Sequence, residues 1–139
     1  MLVEEQITRY LNKQDASKKN DLLTLHDLVR KYQSGLKLWF FDGKNEEGKS
    51  ISNPNIGYGS MVISSEKVEQ KEFYQVGISA NTVGISVYIL AFKNNDFLKE
   101  KYASIIGKAT VSRYCIKFKN LESIDLKVLM AAISDGLNG

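Results

Sequence analysis

Apolar residues recur along this chain with two periods, one helical and one extended, and the switch between them predicts the order of elements. A first helix is predicted over residues 3–12. Asp15 and Ser17 offer N-caps for a second over about 18–33, where Leu22, Leu25, Val29 and Tyr32 fall on one face with Leu28 beside them. Gly35 then stands where a helix stop is expected. A strand is predicted at 37–42, followed by a charged, glycine-bounded loop at 43–48. After Asn53-Pro54-Asn55, strands are predicted at 56–64, near 72–79 and at 82–92. Asn94-Asn95 can cap a helix from Asp96 to about Ile106, which Gly107 ends, and 113–119 is a further strand. Asp125 caps the last helix, whose Leu126, Leu129, Met130, Ile133 and Leu137 form a single apolar stripe.

Runs of strands joined by short turns predict a single α+β domain over residues 1–139. Its sheet should be curved, mainly antiparallel and five-stranded, with helices packed on one face. Residues 73–92 carry no charge and are long enough to span a bilayer. Gln75, Ser79, Asn81, Thr82 and Ser86 interrupt them, however, and apolar and polar positions alternate on both sides of Ala80-Asn81. The segment reads as a β-hairpin, and no membrane partner is expected.

Alternation sorts the strand residues into two faces. Val83, Ile85, Val87 and Ile89 go with Tyr74, Val76, Ile78, Tyr114, Ile116, Phe118, Leu38, Phe40, Met61 and Ile63, an apolar surface for the helices to cover. The opposite face carries aromatic, hydroxyl, amide and basic groups. There a pocket is expected, lined by Trp39, Tyr58, Phe73, Gln75, Tyr88, Lys108, Arg113 and Cys115, with Gly57, Gly59 and Gly77 leaving room for a ligand. Arg113 would pair with a carboxylate or phosphate through its planar fork, and Trp39 or Tyr88 would stack on an apolar or aromatic body.

Composition narrows the chemistry. The 139 residues hold 19 Lys+Arg against 16 Asp+Glu, a net charge of +3, too mild to declare a nucleic-acid binder. Basic residues at 108, 113, 117 and 119 interleave with Tyr114 and Phe118, but those rings are expected to face the core, so nucleic acid is not the expected partner. One cysteine excludes a disulfide framework, and with one histidine it excludes a Cys/His zinc site within the chain. Glu4 and Glu5 stand where a secretory signal needs base, which with the free thiol points to the cytoplasm. Cys115 shares a strand face with Arg113 and Lys117, which would favour a thiolate, yet a buried cysteine is more often inert. His26 sits at the edge of an apolar stripe and reads as a structural histidine with a satisfied ring. Gly57-Tyr58-Gly59 lacks the rest of a dinucleotide fingerprint. No catalytic residue, metal ligand set or resident cofactor is assigned. The expected partner is a small anionic or aromatic ligand, bound without a chemical step by a monomer or a homodimer.

Several phrases carry a family likeness. Lys37-Leu38-Trp39-Phe40-Phe41-Asp42-Gly43, Ser52-Asn53-Pro54-Asn55-Ile56-Gly57-Tyr58-Gly59 and Phe73-Tyr74-Gln75-Val76-Gly77-Ile78-Ser79-Ala80-Asn81-Thr82 resemble the YdhG-like domain-of-unknown-function family. So do Gly107-Lys108 and Arg113-Tyr114-Cys115-Ile116-Lys117-Phe118-Lys119. The likeness runs from the second helix to the last, with Asn81-Thr82 where many members carry an Arg-Lys pair. It implies a compact α+β fold in a cytoplasmic, usually bacterial protein. One branch of the family is described as a frataxin-like intracellular iron chaperone, which makes iron delivery the alternative function. Iron held in that way needs a ridge of carboxylates. Here the first helix offers Glu4 and Glu5, and Asp21 and Asp27 on the second do not share a face.

Overall fold

The computed structural model describes residues 2–65, 68–91 and 96–138. They form helices α1 (Val3–Asn12), α2 (Ala16–Tyr32), α3 (Phe97–Tyr102) and α4 (Leu126–Asn138). The strands are β1 (Leu38–Phe41), β2 (Asn55–Tyr58), β3 (Met61–Ser65), β4 (Val68–Phe73), β5 (Val76–Ala80), β6 (Ile85–Ile89), β7 (Ala109–Val111) and β8 (Cys115–Phe118). Every pairing is antiparallel. Six strands stand in the order β1-β2-β5-β6-β8-β7, and β3 and β4 form a second, two-stranded sheet. The α+β class is as expected, and the five-stranded count is corrected to six. The additional strand, β7, is three residues long and too short to show a period.

Two expected strands are each broken in the middle. The segment expected at 56–64 divides at Gly59-Ser60, and its partner divides at Tyr74-Gln75. Tyr58 pairs with Val76 and Met61 with Phe73, so the register is the same on both sides of the break. The β3–β4 arm is therefore a bent extension of the β2–β5 ladder. Gly59 makes the bend with φ +84°, a conformation an L side chain resists. Gln75 bridges the break. Its backbone N–H donates to the Tyr58 carbonyl at 3.0 Å, its Oε1 accepts from the Ser60 N–H at 3.2 Å, and its Nε2 donates to the Leu137 carbonyl at 3.2 Å. A side chain thus replaces the interrupted ladder and ties the bend to the end of α4.

The core lies between the helices and one face of the large sheet. Ile56, Tyr58, Val76, Ile78, Ile85, Val87, Ile89, Ile116 and Phe118 are buried there with Leu22, Leu25, Val29, Leu129 and Ile133. Asp15 caps α2, its Oδ1 accepting from the Lys18 N–H at 2.9 Å, and Asp125 accepts from the Lys127 N–H at 3.0 Å as α4 begins. Helix α4 comes so close to the sheet that a Cβ on Gly136 would lie 2.6 Å from Ile89 Cγ2 and 3.0 Å from Val76 Cγ2. Val83 does not join this packing. It is 78% exposed in the β5–β6 turn, where Asn81 Oδ1 accepts from the Val83 and Gly84 N–H groups. Tyr114, expected in the core, is 52% exposed beyond the end of β8. The proposed cap at Asn94-Asn95 lies outside the described residues. Within the 73–92 segment, β5 and β6 form the expected hairpin, which ends at Ile89; Phe92 lies outside the described residues. Among the described residues, no helix is long and apolar enough to cross a membrane.

Candidate functional site

On the sheet face away from the helices, register sets the side chains in rows across the strands. One row runs Trp39, Gly57, Gly77, Tyr88, Cys115. In the next, Phe41 opposes Asn55, and Ser79, Ser86, Lys117 and Thr110 follow from strand to strand. Both rows begin in a ring on β1, Trp39 or Phe41, and the second reaches Lys117 and Thr110 at the other edge of the sheet.

The aromatic end is filled by the protein itself. Tyr74, expected among the core residues, lies instead across Gly57 and Gly77. A Cβ at Gly57 would fall 2.3 Å from its ring, and one at Gly77 would fall 2.7 Å from it. The two glycines therefore do not leave room for a ligand; they leave room for Tyr74. Phe73 stacks on Tyr74 with centroids 4.3 Å apart, Phe41 is 5.3 Å from Phe73, and Trp39 is 6.0 Å from Phe73. Trp39 Nε1 donates to the Gly59 carbonyl at 2.8 Å, so the indole N–H is already used. The Lys37 ammonium stands 4.3 Å from the Trp39 ring centroid and 2.6 Å from Glu72, joining β1 to the arm. The bend reverses the Tyr74–Gln75 pair relative to plain alternation, which is why Tyr74 faces away from the helices and Gln75 reaches α4.

Four of the eight expected pocket residues, Trp39, Phe73, Tyr88 and Cys115, belong to this face. Tyr58 does not: it is 0% exposed on the helix side, sharing a 2.6 Å hydrogen bond with His26 Nδ1. Its assignment rested on Met61 and Ile63 being core residues, but they lie on the arm, and Ile63 is exposed. Lys108 and Arg113 stand at opposite ends of β7, five residues apart in nearly extended chain, on the order of 15 Å. They do not converge on one small anion.

Beside Lys108 the same face opens into a hollow of about 500 Å3. Its walls are the β5–β6 turn, with Asn81 and Thr82; the loop residue Asn53; and the ends of β7 and β8, with Lys108, Thr110, Lys117 and Lys119. Thr110 pairs directly with Lys117, and Lys108 and Lys119 stand one position beyond the Ala109–Phe118 pair. Like charges set across a strand pair repel. No acidic residue lines the hollow, and none of the three lysines has an ion-pair partner among the described residues. Lys18, which does not line the hollow, reaches the adjoining turn, its Nζ donating to the Asn81 carbonyl at 2.7 Å while standing 4.0 Å from Asp15. By contrast, the hollow between α2 and β1 holds Glu4 and Asp27 alongside Arg30 and Lys31, with Glu4 3.6 Å from Arg30. Lys117, Lys119, Thr110 and Asn53 were absent from the expected pocket. The signal for two of them, Lys117 and Lys119, was their alternation on one side of a strand; β7, which supplies Thr110, is too short to show a period, and Asn53 lies in a loop.

The remaining reactive groups are internally occupied. Burial raises the Cys115 thiol above its ordinary pKa, more than Lys117 and Ser86 lower it, so the neutral thiol is favoured. Burial likewise lowers His26, with Arg30 adding to the effect against Asp27 and Glu4, so the imidazole is favoured neutral. Asp21 accepts a hydrogen bond from the Leu121 N–H at 3.1 Å. Among the described residues, no group of three or more His, Cys, Asp or Glu is placed to hold a metal ion. No family model matches the chain, and no curated protein or solved structure is significantly similar to it.

Proposed function

We propose that this chain is a cytoplasmic, non-catalytic binding domain of the YdhG-like type, which takes a small ligand on the sheet face away from the helices. One observation carries the reading: that face has a hollow whose amide, hydroxyl and ammonium groups stand beside apolar Val83, Ile85, Ala109 and Phe118, with no carboxylate among the described residues that line it. Such a lining offers orientation and charge but no nucleophile paired with a base, so it suits holding rather than transforming. The candidate nucleophile, Cys115, supports no other reading, because its burial favours the thiol. Native mass spectrometry of the protein as purified tests the proposal. A small molecule retained at one per chain, and lost when Thr110 and Lys117 are both replaced by alanine, is expected. Absence of any retained or added small ligand across a metabolite panel would contradict it. Iron delivery finds less support, since Glu4 pairs with Arg30 and Asp21 with a backbone N–H rather than standing in a ridge.

A further inference from the structure

We infer that the ligand of this face carries a phosphoryl group, seated among Lys108, Lys117 and Lys119. The inference rests on the binding role proposed above and names its chemistry.

The argument begins from repulsion. Lys108 and Lys119 flank the last cross-strand pair of β7 and β8, and Lys117 stands two residues back on the same side. Folding collects three ammonium groups on one hollow and, among the described residues that line it, supplies no carboxylate to offset them. The chain has acids to spare, sixteen of them, and pairs lysines elsewhere: Lys37 meets Glu72 at 2.6 Å and Lys101 meets Asp135 at 2.7 Å. At the hollow the charge is left unopposed. A monocarboxylate would neutralise one of the three. A phosphoryl dianion, or a pyrophosphate, matches the set, and each lysine serves as a flexible point charge with three donors. The hydroxyl of Thr110 and the amide of Asn53 line the same space and can meet the neutral body of the ligand. The hollow is closed on one side by the β5–β6 turn and on another by the loop that carries Asn53, so it fits a small molecule better than a long strand. The one ring that lines the hollow, Phe118, is buried in the core, and the other rings on this face gather at the other end around Tyr74, so bases find little to stack on.

Calorimetry with inorganic pyrophosphate in low salt tests the inference. Saturable one-to-one binding is expected. Lys117→Gln with Lys119→Gln should weaken it at least tenfold, while the ligand-free melting temperature stays the same or rises. Raising the salt from about 50 to 200 mM should weaken wild-type binding several-fold. Sulfate and a dicarboxylate run as further arms separate phosphoryl recognition from general anion attraction, and equal affinity for all three would overturn the inference. So would undiminished binding by the double variant. A single-stranded oligonucleotide that binds more tightly through the same lysines would replace the small ligand with nucleic acid and also overturn it. If pyrophosphate fails while a different small molecule co-purifies, the phosphoryl inference falls and the binding role stands. If nothing binds, both fall.

Discussion

The 2.6 Å hydrogen bond between His26 Nδ1 and the Tyr58 hydroxyl is buried between α2 and the sheet, and both partners depend on it. Tyr58→Phe strands the imidazole nitrogen and should cost about 1–3 kcal/mol in urea unfolding. The same pair confers a pH dependence. Because burial lowers His26 in the folded state, the unfolded chain binds its proton more readily. The resulting stability is fully present above the ordinary histidine pKa and declines as pH falls through it towards the folded value. Wild-type protein should therefore lose stability between pH 7.5 and 5.5, and His26→Gln, which cannot titrate, should lose less; parallel pH profiles would refute the linkage. Tyr74 offers a second local test. Gly57→Ala should displace the ring it supports and destabilise the protein, whereas in a Tyr74→Ala background the same change should cost much less, a coupling that a double-mutant cycle reads directly. Alternation placed Trp39, Cys115 and Lys117 on the correct face, since each sits within an unbroken strand. It misplaced Tyr58 and Tyr74 because the bend at Gly59 and Gln75 depends on hydrogen bonds from one glutamine side chain, which no periodicity records.

At the scale of elements, α4 packs against β5 and β6 in the middle of the sheet. Leu129 is fully buried, and Leu129→Ala should cost about 2–5 kcal/mol, with a change below about 0.5 kcal/mol excluding this packing. Gly136→Ala is a sharper test because two effects oppose. Alanine favours a helix over glycine by about 1 kcal/mol. The added Cβ, however, meets the branched, buried Ile89 at 2.6 Å, and overpacking of that kind costs about 1–3 kcal/mol. Net destabilisation is expected. The helices α2 and α4 were legible from their stripes and caps, and α1 spans the residues 3–12 predicted for it. The β3–β4 arm was not legible as a separate sheet, because its register continues that of β2 and β5. Val83 was misread for the opposite reason: it continues the apolar alternation of β6, but Asn81 has already drawn the chain into a turn.

Across the whole molecule, charge distribution separates the two functional readings. The net charge of +3 is small, yet its local arrangement is uneven, with three lysines at one end of the sheet face that lack ion-pair partners among the described residues, and Glu4 of α1 paired with Arg30 of α2. Anaerobic calorimetry should find only weak binding of ferrous iron; a micromolar site lost when Glu4, Glu5 and Asp21 are replaced together would promote iron delivery instead. The sheet face that carries the candidate hollow was legible, since the face opposite the helices was identified from alternation. Its centre was not, because the glycines that seemed to clear a space accommodate Tyr74, and because β7, which brings Thr110 beside Lys117, left no periodic trace. The most direct measurement is an amide-resolved NMR titration with pyrophosphate. Saturable shifts concentrated at Asn81, Thr82, Thr110, Lys117 and Lys119, with Trp39 and Gly57 unmoved, are expected. Shifts confined to the aromatic end, or no saturable shift at all, would contradict the assignment of the ligand to the lysine-lined hollow.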